Sequence, residues 1–486
     1  MNHDSKPASS PAAWAAARRS ACPGLVRVVA THDGGLCRVR LPGGVLTAAQ
    51  AEAIAQAALA HASGTLELTN RANLQVRGIR AGSEAALSEA LVAGGLGPSA
   101  SASADLCTAD ELRNLMLAPL AGLDPAALLD TTTLAAPIVA MLQNEPRFAA
   151  LSPKFALLID GGEALAALDH PHDIWLAATA HEGGARFMFG LAGCPGDGAF
   201  GSIAAAQATP LIRALLHAFL DLAGPGQLRM REVVAAHGLQ AVLKQALHHA
   251  SIDIANETAS GWQRSKVDTG LRLGAHRLND RTGYVGCQPP LARLDAATLR
   301  GLAALAQTHG DGTLRITPWQ GAILPHVAND AMPAVIASLH ALGLITDAAH
   351  PLARTIACTG STGCAKSRAD TKADALLLAA HLPPKVHVHL SGCERSCAAA
   401  HRAPFTLLAV APGAYDVYEN VDEDIDEDID EDIDESVAQN SSENIEERDA
   451  APFGRRVARH LTIEAAAQLL EHLSTQPHAQ RAPEHS

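Results

Sequence analysis

The chain has 486 residues, a formal net charge of −14, 48% apolar residues and only 3% aromatics. Such a length calls for several domains rather than one core, and no apolar run reaches the roughly 20 residues of a membrane-spanning helix. The charge is local: residues 416–450 hold 17 Asp/Glu against one Arg, leaving about +2 elsewhere, which excludes the clustered basic face of a nucleic-acid binder.

Residues 1–20 read as a frayed tail without a secretory pattern, and nine cysteines in that setting point to reduced thiols and a cytoplasmic protein. Residues 36–41 (LCRVRL) alternate as a strand does. Thr47 and Gln50 form a capping box opening an Ala-rich helix to about His61, and Gly64 breaks it. Two short strands around a turn follow in TLELTNRANLQVRGI, so the unit reads as ferredoxin-like.

The unit recurs. With an offset of 248, Leu46, Ala49, Ala58, His61, Gly64, Thr65, Leu66 and Thr69 fall on Leu294, Ala297, Ala306, His309, Gly312, Thr313, Leu314 and Thr317. RNLMLAPL from Arg113 repeats as RTIACTGS from Arg354, and PKFALLIDGGE from Pro153 as PKVHVHLSGCE from Pro384. Three blocks in one order mark a duplication. The chain is therefore expected to be α+β: a first ferredoxin-like half (21–100), a first α/β lobe (101–257), a second half (258–348), a second lobe (349–475) and a tail (476–486). Residues 416–450 read as an acidic, solvated, disordered insert within the second lobe.

Four cysteines dominate the chemistry. Cys358 and Cys364 stand as C-x5-C and Cys393 and Cys397 as C-x3-C, each pair beside glycines (Gly360, Gly363, Gly392) that let backbone approach an inorganic core. This spacing fits a [4Fe–4S] cluster better than zinc, which favours C-x2-C knuckles. A zinc-bound scaffold protein is the non-enzymatic alternative. Cys22, Cys37, Cys107, Cys194 and Cys287 read as buried structural thiols. Arg71, Arg77, Arg113, Lys154, Arg315, Arg354, Lys366, Arg368 and Lys385 occupy loop-like positions where they could grip an anion. Gly196, Gly198 and Gly201 spell G-x-G-x-x-G, but no helix is expected to start on them, against dinucleotide binding. His387 and His389 alternate on one face of an expected strand.

The cysteine pattern, with ELTNRANLQVRG, RNLMLAPLAG, LSPKFALLIDGG and RITPWQGAILP, resembles the sulfite and nitrite reductase superfamily over most of residues 21–475. ACPGLVRVV, GGLCRVRLPGGVLT and TNRANLQVRGIR resemble its precorrin-3B synthase branch. The resemblance implies paired ferredoxin-like halves beside two α/β lobes, and a cluster on Cys358, Cys364, Cys393 and Cys397. It places Arg71, Arg113 and Lys154 on or near basic positions around a tetrapyrrole, as catalytic-site candidates. Two departures weigh against sulfite or nitrite reduction: Ala156 stands where the reductases carry a second lysine, and Arg77 where they usually show histidine. The branch implies oxygen- and NADH-dependent hydroxylation of precorrin-3A, with a mononuclear non-haem iron (His387, His389 and His401 being candidates) and a separate electron-donating reductase. A siroheme-dependent reductase is the alternative.

Overall fold

The helix expected after Thr47 runs over Ala48–His61, and both arms of its capping box form: Thr47 Oγ1 accepts from the Gln50 N–H (3.2 Å) and Gln50 Oε1 from the Thr47 N–H (3.0 Å). Two of the four orphan donors at that end are thereby satisfied locally. The structure is a computed structural model that describes residues 22–255, 259, 261–265, 267–399, 401–420 and 453–475. It divides into two units, Met1–Ala348 and Ala349–Ser486.

In the first unit, β1 (Val29–Thr31), β2 (Gly34–Val39), β4 (Thr65–Leu68) and β5 (Leu74–Ile79) make one antiparallel sheet, ordered β1-β2-β5-β4. Its last strand is β13 (Arg293–Asp295), from the second half, paired to β4 with Leu294 opposite Leu66. The reciprocal exchange completes the other sheet: β11 (Gly274–Arg277), β12 (Thr282–Cys287), β15 (Ala322–Ala328) and β14 (Thr313–Ile316) are joined by β3 (Val45–Thr47), with Leu314 opposite Leu46. Thus the expected halves 21–100 and 258–348 each complete the other's sheet. They share one core that includes Leu46, Ile54, Leu66, Val76, Leu294, Leu299, Leu314 and Leu324.

The backbone repeats as the sequence does. Gly43 and Gly44 are left-handed (φ 69° and 72°), and at the equivalent positions Leu291 and Ala292 hold the same conformation with side chains (φ 50° and 66°). A Cβ on Gly44 would lie 2.5 Å from the Ile316 carbonyl oxygen, so glycine is required there. Ala72 and Gln320 likewise match (φ 53° and 60°), which sets Arg71 and Trp319 at equivalent turns.

The first lobe, also in the first unit, is the sheet β6 (Leu115–Leu117), β7 (Leu157–Asp160), β8 (His172–Thr179), β9 (Arg186–Gly193) and β10 (Gly201–Ala204), in that order. The second unit repeats it with β16 (Thr355–Ala357), β17 (Val388–Ser391), β18 (Phe405–Ala411), β19 (Ala414–Glu419) and β20 (Arg455–Leu461). In both, the first two pairings are parallel and the last two antiparallel. Gly201 opens strand β10 rather than a helix, which removes the dinucleotide motif.

One boundary moves. Asp416 and Glu419 belong to β19, where Glu419 pairs with Arg455 at 3.0 Å, so the folded sheet reaches into the expected acidic insert 416–450. Most of that insert, like residues 1–20 and 476–486, lies outside the described residues.

Candidate functional site

Cys358 and Cys364 lie in the loop after β16, Cys393 and Cys397 in the loop after β17. The parallel pairing of these strands brings both loops to the same sheet end, where the Arg368 N–H donates to the Gly392 carbonyl (2.9 Å). The Gly392 N–H donates to Cys358 Sγ at 3.2 Å, which ties the two cysteine loops together. Gly392 has no room for a side chain, since a Cβ would sit 1.8 Å from Ser367 Oγ. Gly360 is left-handed (φ 80°), and its Cβ would meet the Thr371 nitrogen at 2.9 Å.

All four cysteines are free thiols. By surface area Cys397 is exposed and the other three are half-buried, and the Cys397 thiol is pushed up by partial desolvation first and then by the neighbouring Cys393, Cys358 and Cys364. Among the described residues no three of these sulfurs lie within 4.8 Å of one another, wider than one tetrahedral zinc ion would draw them. Four free thiols on two adjoining, glycine-relieved loops offer the four-cysteine ligand set of an iron–sulfur cube.

The basic residues sort differently from the sequence expectation. Arg113 is buried, and its guanidinium donates to the Leu96 carbonyl at 2.7 Å and to the Arg40 carbonyl. Its repeat Arg354 donates to the Pro383 and Val386 carbonyls, each at 2.7 Å. Both arginines tie chain segments together through backbone carbonyls. Arg77 is in β5 and pairs with Asp33 (2.9 Å) and Glu67 (3.3 Å), the latter also held by Arg293 (2.7 Å). It too is structural rather than a loop residue. Arg315 lies in β14, whereas Lys154, Lys366, Arg368 and Lys385 are exposed.

Arg71 differs. No hydrogen bond or ion pair engages its guanidinium among the described residues, although the side chain is only part-exposed. Burial, then the neighbouring Arg229 charge, lowers it to about 10, with Asp173 opposing. His172 is buried and held neutral by burial and by Arg71, its Nδ1–H donating to the His170 carbonyl at 2.7 Å. Ala72 packs in one cluster with Met116, Leu158 and Trp175, which seats the Arg71 turn against the first-lobe sheet. Arg71, Arg229 and Arg38 are thus neighbouring charges in the first unit, beside the neutral His172 and the Asp173 carboxylate.

Other expectations change. His387 is exposed and precedes β17, while His389 is buried in it, so they share no ligand-forming face. Burial and then His401 lower His389 to about 3. Cys37, Cys194 and Cys287 are buried thiols pushed up by desolvation, but Cys22 and Cys107 are only half-buried.

In the first lobe, Asp160 ends β7 and Glu163 lies in the loop equivalent to that of Cys393, both buried. Arg264 Nε donates to Asp160 Oδ2 at 2.8 Å, and the Gly161 N–H donates to Glu163 Oε2 at 2.7 Å. Burial and then Asp160 push Glu163 well above the carboxylate range. The repeat PKFALLIDGGE carried the clue, since its acids align with a cluster loop; Asp173 and Arg229 carried none.

The nitrite/sulfite reductase ferredoxin-like half-domain profile matches residues 30–94 and 276–342, and the nitrite and sulphite reductase 4Fe-4S domain profile matches 108–253. Together they cover more than half of the chain. The chain belongs to the nitrite and sulphite reductase family. The 4Fe-4S profile falls on the first lobe, while the four cysteines lie in the second copy of that fold. A ferredoxin–nitrite reductase of Oryza sativa is 28% identical over 74% of this chain and 64% of its own, so the chain spans less than two thirds of that relative. A precorrin-3B synthase of Sinorhizobium is 26% identical over 84% of each chain. The NirA structure of Mycobacterium tuberculosis superimposes with a TM-score of 0.70 over 93% of this chain and 82% of its own, at 20% identity, which shows the shared fold. Members of this family are oxidoreductases, and the match to its 4Fe-4S domain supports an iron–sulfur cluster in this chain. Among the described residues no helix is long and apolar enough to cross a membrane.

Proposed function

We propose that the chain is a precorrin-3B synthase: a monooxygenase that takes precorrin-3A, O2 and NADH to the C20-hydroxylated γ-lactone, with water and NAD as the other products. The observation that carries this reading is the even match to a precorrin-3B synthase, 84% of both chains, against 64% of the rice nitrite reductase. Ala156 supports it. A buried methyl stands where the resemblance leads one to expect a second lysine, which removes a proton donor beside a small oxyanion.

In this reading the polycarboxylate tetrapyrrole is substrate, and Arg71 meets one of its carboxylates with a guanidinium that no acceptor holds among the described residues. Lys154, exposed before β7, is a second cation offered to the same anion. The cluster held by Cys358, Cys364, Cys393 and Cys397 would supply single electrons. NADH acts through a separate reductase. A mononuclear non-haem iron belongs to the same reading.

Incubation with precorrin-3A, a reductant and 18O2 tests the proposal: one labelled oxygen in the product is expected, and an unlabelled product with unchanged mass would refute it. The 28% identity to nitrite reductases favours a second reading, a siroheme reductase. The absorption spectrum of anaerobically purified protein separates the two, since strong siroheme bands belong only to the second.

A further inference from the structure

Two groups from different segments meet the sulfur of Cys358. The Gly392 N–H lies 3.2 Å from Sγ and the Thr371 hydroxyl 3.3 Å from it, the same hydroxyl donating to the Cys358 carbonyl at 2.9 Å. Thr371 opens the helix Thr371–Ala379 and is fully buried. Its hydroxyl has one proton. Beside a free thiol that proton rests on the carbonyl, and the S–H points to Oγ1. Ligation of iron removes the thiol proton, so an Oγ1 lone pair would then face an anionic sulfur. Rotating the hydroxyl onto the sulfur removes that conflict and gives up the carbonyl bond.

The first lobe shows the same threonine without the sulfur. Leu117 and Ala357 stand opposite Ile159 and Leu390, and the next N–H, of Ala118 and of Cys358, donates to those carbonyls at 3.2 Å in both lobes. Ala118 is thus the counterpart of Cys358. Thr131 abuts the helix Thr132–Asn144 as Thr371 opens its own, and each follows an aspartate, Asp130 or Asp370, that accepts from a first-turn N–H. Thr131 is fully buried, and its Oγ1 has no hydrogen-bond partner. A threonine in this place finds its partner only where the cysteine is present.

We propose that Thr371 is a positioning residue that donates its hydroxyl proton to Cys358 Sγ in the loaded protein, and so raises the reduction potential of the cluster. Hydrogen bonds strengthen as the acceptor gains negative charge, so a donor at a ligand sulfur stabilises the reduced form more than the oxidised one. The Gly392 N–H acts on the same sulfur and has no second acceptor to choose. One electron enters on reduction, from the separate reductase. The hydroxyl proton turns between two acceptors without leaving Oγ1, so no atom is gained or lost. This inference rests on the cluster reading and adds a residue outside the four ligands that sets the potential.

The test is a redox titration of full-length, anaerobically purified protein with dithionite, following the EPR signal of the reduced cluster, with iron and acid-labile sulfide assayed on the same samples. At the parent's midpoint, Thr371→Val should lower the ratio of reduced to oxidised cluster by on the order of threefold to tenfold, tenfold being about 59 mV for one electron. Thr371→Ser should stay with the parent, and Thr131→Val should leave the midpoint unmoved. Equal midpoints for parent and fully loaded Thr371→Val would overturn the inference and leave the cluster standing. Parent protein without iron and sulfide would overturn both. Should Thr371→Val not hold a cluster, Thr371→Ala takes its place in the titration. Failure of both to load beside a loaded Thr371→Ser would support the hydroxyl–sulfur bond, and failure of Thr371→Ser as well would overturn it.

Discussion

Glu163 is fully buried beside Asp160, surroundings that favour its protonated form. Its folded-state value lies above the unfolded one, so the stability it contributes is present at acid pH and drains away as pH rises from the ordinary carboxylate range. Glu163→Gln keeps the shape and cannot ionise. Its melting temperature should match the parent near about pH 4 and exceed it increasingly toward about pH 8; a pH-independent difference would contradict this. Arg113→Met should act on stability: it strands the Leu96 and Arg40 carbonyls, at a cost of about 2–4 kcal/mol, while KM of the folded fraction stays near the parent's. A changed KM with an unchanged denaturation midpoint would return Arg113 to the ligand. Cys397→Ser should reduce iron and acid-labile sulfide, whereas Cys287→Ser, at a buried thiol remote from any ligand pattern, should keep both. The four cysteines were legible because metal ligation needs particular side chains at short spacing. The role of Arg113 was not, because its partners are backbone carbonyls and these leave no mark in a sequence.

Among the elements, local signals survived and remote ones did not. Thr47, Gln50 and Gly64 fixed a helix from within one stretch of chain, and the structure has that helix at Ala48–His61. β3 and β13 escaped notice: three residues are too few for periodicity, and their partners lie in the other half of the duplication. The loops before these strands carry a measurable asymmetry. Ala292→Gly should stabilise by about 0.5–1 kcal/mol by relieving a left-handed alanine, whereas Gly44→Ala should destabilise severely because the Ile316 carbonyl blocks the new methyl. Denaturant midpoints with unchanged m-values would verify both signs, and a stabilised Gly44→Ala would contradict the repeat geometry.

For the whole molecule, duplication was the most informative feature in the sequence, because identical spacings expose an architecture that composition hides. What it could not reveal is which copy keeps which chemistry: one lobe has cysteines, the other the Asp160–Glu163 pair. Residues 421–452 connect β19 to β20 in sequence, and the ends they join, Glu419 of β19 and Arg455 of β20, sit opposite each other. Replacing residues 421–452 by Gly-Gly should therefore preserve melting temperature and iron content, as measured by calorimetry and iron assay. A large loss of either would give that stretch a structural role.

The exchanged strands carry a consequence for biogenesis. A ribosome that has delivered residues 21–100 has made a sheet whose β4 edge stays naked until Arg293–Asp295 emerges, and a β3 strand with nothing to pair until Thr313–Arg315 follows. The first half cannot be finished during its own synthesis, and an open apolar edge awaits its partner through the whole of the first lobe. Premature termination before residue 293 should then yield not a smaller folded protein but a chain prone to aggregate, and chaperone demand should peak midway through translation.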